Sequence, residues 1–303
     1  MRILLALSLL AAVAQAQEPK RPRITGVAHV AFFTSDLYKT RAFYKSVLGY
    51  EEPYDLKNPD GSLNMSFIKI NERQYVELSK EIAPDTDRLN HVSIETDDIA
   101  AMRNYLAAKG IKVPAAPGKV RIGNLAFNVK DPDGHTLEFV QYMPGSLTVK
   151  AAGKFLGPKR VSDRMAHFGI IVGNVEASMK FYKDILGFTE TWRGARSPER
   201  LDWINMRVPD GEDYIEFMLY SELPEPTKRG SQHHICLFVP DINAALKVIQ
   251  ERPYTRPLEV RTGVNRKRQL NLFDQDGSRI ELMEPVTIDG KPTPSSKAPP
   301  PRG

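Results

Sequence analysis

Apolar residues fall along this chain in short runs, each followed by a polar break, a helical pattern and several shorter alternating runs. Val27-Ala28-His29-Val30-Ala31-Phe32 is the first such run, and the absence of polar alternation predicts a strand buried on both faces. Seven residues after His29 stands Asp36, followed by Leu37. That is a helix-capping side chain ahead of an apolar first turn. The arrangement returns three times, with His91, Asp98 and Ile99, with His167, Asn174 and Val175, and with His234, Asp241 and Ile242. Gly49, Gly110 and Gly187 close three of the predicted helices, where glycine takes a left-handed conformation without strain, and Arg252-Pro253 ends the fourth. Turns at Asn58-Pro59-Asp60-Gly61, Asp131-Pro132-Asp133-Gly134, Pro209-Asp210-Gly211 and Asp274-Gln275-Asp276-Gly277 divide the strand-like runs that follow each helix. The repeating unit is a strand, a helix and then several strands, written four times.

The first and third copies are the most alike. "HVAFFTSDLYKTRAFYKSVLG" starts at His29 and "HFGIIVGNVEASMKFYKDILG" at His167. Both place Phe-Tyr-Lys fourteen residues after the histidine. A chain of 303 residues is long enough for two domains with separate cores. The repeats place one at 24–145 and the other at 164–286, with an aperiodic linker at 146–163 and a Pro- and Ser-rich disordered tail at 287–303. Arg2, the apolar run Ile3 to Val13 and Ala14-Gln15-Ala16 have the parts of a cleavable signal peptide over residues 1–16. The pattern predicts a mature chain starting near Gln17 in the periplasm or outside the cell, with no membrane span remaining.

Cys236 is the only cysteine, so no intramolecular disulfide is possible. The net charge of +5, about +4 without Arg2, is dispersed except at Arg266-Lys267-Arg268, and no aromatic platform accompanies that triplet. Composition therefore points away from nucleic acid as a partner.

Chemistry enters through a second regularity. His29 precedes Glu77 by 48 residues, His91 precedes Glu138 by 47, His167 precedes Glu216 by 49 and His234 precedes Glu281 by 47. The glutamates lie in "YVEL", "TLEF", "YIEF" and "RIEL", apolar on either side. In a strand each would face away from its immediate neighbours, and an interior carboxylate is costly unless paired or metal-bound. Two units packed side by side would bring two histidine nitrogens and two glutamate oxygens to one concave sheet. Such a set, with open positions, suits a divalent transition metal that also holds water or substrate.

With the leading histidines, "FYKSVLG", "FYKDILG" and "DPDGHTLEF", the chain resembles the vicinal oxygen chelate superfamily, which includes glyoxalase I, bleomycin-binding proteins and extradiol ring-cleaving dioxygenases. The likeness runs over about Ile24 to Met143 and Arg164 to Pro285. It implies an α+β fold of four βαβββ units, forming two domains with curved, open-barrel mixed sheets. It also implies metal ligands at His29, Glu77, His91 and Glu138 in the first domain, and at His167, Glu216, His234 and Glu281 in the second. The ion would be Zn, Ni, Mn or Fe. Members close such sites within one domain or exchange units between domains or the subunits of a homodimer, and the sequence is compatible with each.

The resemblance implies three readings of function. A glyoxalase-like lyase or isomerase would move a proton beside a metal-chelated oxygen of a small-molecule substrate, with Glu77, Glu138, Glu216 and Glu281 as the candidate catalytic bases. The thiol adduct used by glyoxalase I itself belongs to the cytosol, at odds with an exported chain. An extradiol dioxygenase would instead use two histidines and one carboxylate. Family members of that kind carry a tyrosine where this chain has Asn128 and Asn271, and a histidine absent here from 119–128 and 264–271. The third reading is a small-molecule binding protein without chemistry. Other residues have simpler expectations: His135 at the surface or hydrogen-bonded, His233 turned to the face opposite His234, Cys236 small and buried, and Trp192 and Trp203 packed in the core, with an aromatic wall for substrate in the second domain as their alternative.

Overall fold

The computed structural model describes residues 19–81, 83, 87–229 and 231–301. The expected signal peptide at 1–16 lies outside them. No helix among the described residues is long and apolar enough to cross a membrane.

The first domain holds strands β1 (Ile24–Thr34), β2 (Glu51–Lys57), β3 (Leu63–Lys69), β4 (Tyr75–Lys80), β5 (Leu89–Thr96), β6 (Gly118–Lys119), β7 (Leu125–Lys130) and β8 (Thr136–Gln141). They form one sheet in the order β2-β3-β4-β1-β5-β8-β7-β6. The two repeat units meet at the antiparallel β1–β5 pair. Within each unit the first strand runs parallel to the last, β1 with β4 and β5 with β8. One face carries Val30, Val76, Leu78, Val92, Ile94, Leu137 and Phe139, each no more than 2% exposed. The other carries the histidines and glutamates, and it curls inward. Period-two alternation thus separates an apolar layer from the chemistry while burying both.

Helices cover the apolar face. The first unit supplies α1 (Leu37–Ala42), which widens into a π turn over Phe43–Val47, and the second supplies α2 (Ile99–Ala108). Asp36 accepts from the Lys39 amide and Asp98 from the Ala101 amide, as the cap pattern predicts. Gly49 and Gly110 stop these helices at φ 78° and 79°. The π turn, with the Leu48 amide bonded to the Phe43 carbonyl, is a feature the helical periodicity does not register.

A one-turn helix, α3 (Leu147–Lys150), leads into the second domain. The rest of the expected linker is tied down by the buried Lys69 ammonium, which donates to the Ala151 and Lys154 carbonyls at 2.6 and 2.9 Å. The second domain repeats the plan with strands β9 (Met165–Val172), β10 (Thr189–Gly194), β11 (Trp203–Arg207), β12 (Tyr214–Leu219), β13 (His234–Phe238), β14 (Val260–Thr262), β15 (Lys267–Phe273) and β16 (Arg279–Thr287). Their order, β10-β11-β12-β9-β13-β16-β15-β14, matches the first sheet position for position. Its helices are α4 (Val175–Met179) with a π turn over Lys180–Ile185, then α5 (Pro226–Arg229) and α6 (Ile242–Gln250).

Residues 287–301 differ from the disordered tail that their composition predicts. The Ser296 amide donates to the Arg193 carbonyl, the Leu201 amide donates to the Pro299 carbonyl, and Ala298 is buried. Prolines lack an amide to waste, so such a segment can lie against a domain with few backbone bonds left unmade.

The domains join by a reciprocal pair of caps. Asp133, in a turn of the first domain, accepts from the Gly173 and Asn174 amides, each at 3.1 Å, at the start of α4. Asp276, in the matching turn of the second, accepts from the Ser35 amide at 2.9 Å and the Thr34 hydroxyl at 2.8 Å ahead of α1. Asp133→Ala or Asp276→Ala is expected to lower stability by about 1–3 kcal/mol, since each removes a charged acceptor from two donors. Urea midpoints would show this, and unchanged midpoints in both variants would contradict the joint's role.

Candidate metal centres

Each quartet closes within one domain. In the first sheet Ala31 of β1 lies between Glu77 on one neighbouring strand and His91 on the other, while Ser93 lies between His29 and Glu138. The side chains converge above those positions. His29 Nε2 is 2.9 Å from His91 Nε2, 3.8 Å from Glu77 Oε2 and 3.4 Å from Glu138 Oε1. One ligand atom each from His29, Glu77 and His91 all lie within 4.8 Å of one another.

The second domain reproduces this set. His167 Nε2 is 3.2 Å from His234 Nε2, 3.9 Å from Glu216 and 3.5 Å from Glu281. His234 Nε2 lies 3.7 Å from Glu216 and 3.9 Å from Glu281. Glycine has a specific purpose here. A Cβ on Gly169 would sit 2.0 Å from His234 Cε1, so the imidazole lies flat over a strand position that must have no side chain. His167 Nδ1 lies 2.7 Å from the Tyr214 hydroxyl and His234 Nδ1 lies 2.9 Å from the Gln232 carbonyl, which leaves each Nε2 turned to the centre.

These donors fit a divalent ion. Two ligand atoms bound at about 2.1 Å to one ion stand about 3–4 Å apart, the spacing seen in both quartets. Burial, and then the neighbouring Glu138 charge, push Glu77 up to about 8, while burial pushes Glu138 to about 7. Burial and the facing Glu281 raise Glu216. Burial holds His91 down near 4 and, with nearby cations or a second imidazole, keeps His29, His167 and His234 well below 6.5. Neutral imidazoles are ready ligands, and crowded carboxylates that resist ionisation are what a dication reverses.

The sign of this effect is testable. A carboxyl raised in the folded state stabilises below its unfolded value and loses that contribution as pH rises through the folded value. The depressed histidines act in the opposite sense and only below about 6.5. Metal-free protein is therefore expected to lose stability between about pH 6.5 and 8, and metal should remove the loss. Thermal midpoints across that range, with and without chelator, check both halves.

Other residues fall into place around the centres. His135 is buried at the domain junction rather than at the surface, because its Nδ1 lies 3.0 Å from Asp131 and its ring packs edge-on against His233 at 5.3 Å. His233 faces away from His234 as alternation requires, and stacks on Phe168. Cys236 is fully buried, and burial raises its thiol far above the thiolate range. Trp192 and Trp203 correct their expected core packing. Both line a cavity of about 310 Å³ whose floor includes Glu216 and Glu281. Residues not singled out in the sequence include Ser93, which donates to Glu138 at 2.8 Å from the position that Cys236 fills in the second domain. Arg279, two residues before Glu281 and therefore on its face, is another, at 2.7 Å from His234 Nδ1. A spacing of two residues from a predicted ligand, Ser93 after His91 and Arg279 before Glu281, is the signal for both.

Comparison with known proteins agrees with this architecture. A lactoylglutathione lyase of Arabidopsis thaliana is 26% identical over 235 residues, covering 73% of this chain and 76% of that protein. A Mn(II)-bound glyoxalase from Novosphingobium aromaticivorans superposes with a TM-score of 0.67 at 18% identity, over 92% of this chain and 89% of the other. A mutant of homoprotocatechuate 2,3-dioxygenase from Brevibacterium fuscum gives 0.64 at 21% identity, over 88% and 72%. At such identities these two structures speak to the fold. The family model matches residues 26–139 and again 164–282, one match for each domain described above. The chain thus belongs to the Glyoxalase/Bleomycin resistance protein/Dioxygenase superfamily.

Proposed function

We propose that this protein is a metal-dependent, glyoxalase-like lyase or isomerase that moves a proton between carbons of a small molecule carrying vicinal oxygens. The observation that carries the reading is the second glutamate. Two histidines and one carboxylate would hold an ion for oxygen chemistry, but each centre gathers two carboxylates, one buried and one half-buried, within 4 Å of a histidine. The relatedness to lactoylglutathione lyases supports the same class.

A divalent ion held by the quartet would act as a Lewis acid on substrate oxygen. The chain's own residues supply the rest. Either glutamate of a pair can take a proton from the adjacent carbon and return it to the neighbouring one, while its partner and the two histidines keep the centre assembled. Burial of the carboxylates keeps bulk water from diluting that transfer. Asn128 and Asn271, opposite Glu138 and Glu281 in the sheets, offer amides rather than an ionisable hydroxyl at these positions.

A panel of 2-hydroxycarbonyl compounds, thiol adducts and catechols, run in deuterated solvent under nitrogen, tests the proposal. Solvent deuterium in the product is the expected result. Catechol-dependent oxygen uptake by iron-loaded protein would establish ring cleavage instead, and saturable binding without turnover would establish sequestration.

A further inference from the structure

The two centres share their ligands and differ in what surrounds them. Above the first, the register positions flanking the quartet hold Tyr54, Phe67 and Thr136; the matching positions in the second hold Trp192, Asn205 and Arg279. Tyr54 is already satisfied by the Thr148 hydroxyl at 3.1 Å. Beside the first centre the Tyr75 hydroxyl is buried without a partner, whereas around the second Trp192 Nε1, Asn205 Oδ1, Asn271 Oδ1 and Arg279 Nε are all buried and unbonded. Four orphaned polar atoms gathered around one centre are costly unless something enters to meet them.

Charge says what that is. The cavity over Glu216 and Glu281 is walled by Arg196, Arg261 and Arg279. Next to it, sharing Trp192 and Asn265, lies a second space of about 420 Å³ lined by Lys267. Among the described residues neither Arg279 nor Lys267 forms an ion pair, whereas Arg196 is paired with Asp202 at 3.3 Å and Arg261 with Glu259 at 2.6 Å. Arg196 also stacks over Trp203, 4.4 Å from its ring centre, so the guanidinium is held as part of the wall. With a dication on the two glutamates, the cations around them are left in excess, and a concave wall of one sign concentrates the opposite charge.

We propose that the second-domain centre is the one that receives substrate, and that it selects a small molecule bearing a carboxylate in addition to the oxygens that reach the ion. Arg279, at the floor beside His234, and Lys267, in the adjoining space, supply the unpaired charge that meets the carboxylate, while Arg196 and Arg261 complete the rim and the tryptophans flank a flat body. The inference rests on the centre being a metal site, as under the proposed function, and is independent of which reaction occurs there.

A matched pair of chelators separates these claims. Benzohydroxamate and 4-carboxybenzohydroxamate present the same pair of chelating oxygens and differ by one carboxylate. Trp192 and Trp203 are the chain's only two tryptophans and both line this cavity, so their fluorescence reports on the second centre alone. With metal-loaded full-length protein, the carboxylated probe is expected to bind about 10-fold or more tightly, with a preference that fades as salt is added. Lys267→Gln should erase most of the preference while metal content and benzohydroxamate affinity hold, and Arg196→Gln with Arg261→Gln, whose charges are already paired, should leave most of it in place. His91→Ala should leave the preference intact, and His234→Ala should abolish the fluorescence response.

Equal affinities for the two probes would overturn the proposal. So would a response that survives His234→Ala, or the failure of either probe to bind protein whose second centre is loaded. Retained carboxylate preference without deuterium transfer in the activity assay would remove the proposed reaction and keep the ligand class. Deuterium transfer without the preference would do the reverse.

Discussion

Glu281→Gln is expected to lower turnover by about 10²–10⁴-fold, the range by which a positioned proton acceptor accelerates such reactions. The substitution keeps the shape of a residue that is only 5% exposed, and it removes the charge that, in the proposed reaction, accepts a proton and helps hold the ion. Metal content must accompany the rate, since loss of the ion alone would mimic loss of the base. Glu216→Gln, restored to full occupancy with added metal, is the companion measurement, and it tells which of the two carboxylates moves the proton. Glu138→Gln should change turnover by only a few-fold, because the proposed substrate enters the second centre. A Glu281→Gln protein with its ion bound and its rate unchanged would remove Glu281 from the chemistry.

The second large effect is expected at a residue that touches no substrate. Gly169→Ala places a methyl where His234 lies, 2.0–2.9 Å from three of its ring atoms, and backbone on either side prevents the strand from retreating. The imidazole must rotate off the centre. Displacing a ligand in this way is expected to weaken metal binding at the second centre by about 100-fold, with about 1–3 kcal/mol lost to crowding. The first domain carries Ala31 at the equivalent position, so its centre should keep its ion and Ala31→Gly should be nearly silent there. Titration of each variant with a metal indicator would resolve the two affinities. Unaltered uptake by Gly169→Ala would show that His234 is not held over this strand.

Much of the architecture was legible because local signals and long-range spacing agree. Asp36, Asp98, Asn174 and Asp241 cap helices where the chain pattern places them, and Gly49, Gly110 and Gly187 end three with positive φ. The His–Glu pairs were legible for a related reason: charge inside an apolar strand is expensive, so four such residues at one spacing needed a shared purpose. What the pattern does not encode is which side chains share a wall. Trp192 and Trp203, each taken alone, read as core before wall, yet Trp192 folds back over Gly194, where a Cβ would lie 2.1 Å from its ring, and so faces the cavity. Arg279 reads as an ordinary strand residue, and its proximity to His234 arises from the parallel pairing of β13 with β16, a contact across 45 residues. His135 follows a turn glycine, as surface residues do, and is buried only because the second domain covers it.

The central claim is that each domain builds its own metal centre from its own two units. Elemental analysis of metal-loaded protein tests it most directly, run beside His91→Ala and His234→Ala variants shown to be folded. The account predicts about two equivalents of divalent metal per chain, and about one in either variant, with the double variant holding none. A folded protein that takes up no metal, or single variants that each lose every equivalent, would contradict it.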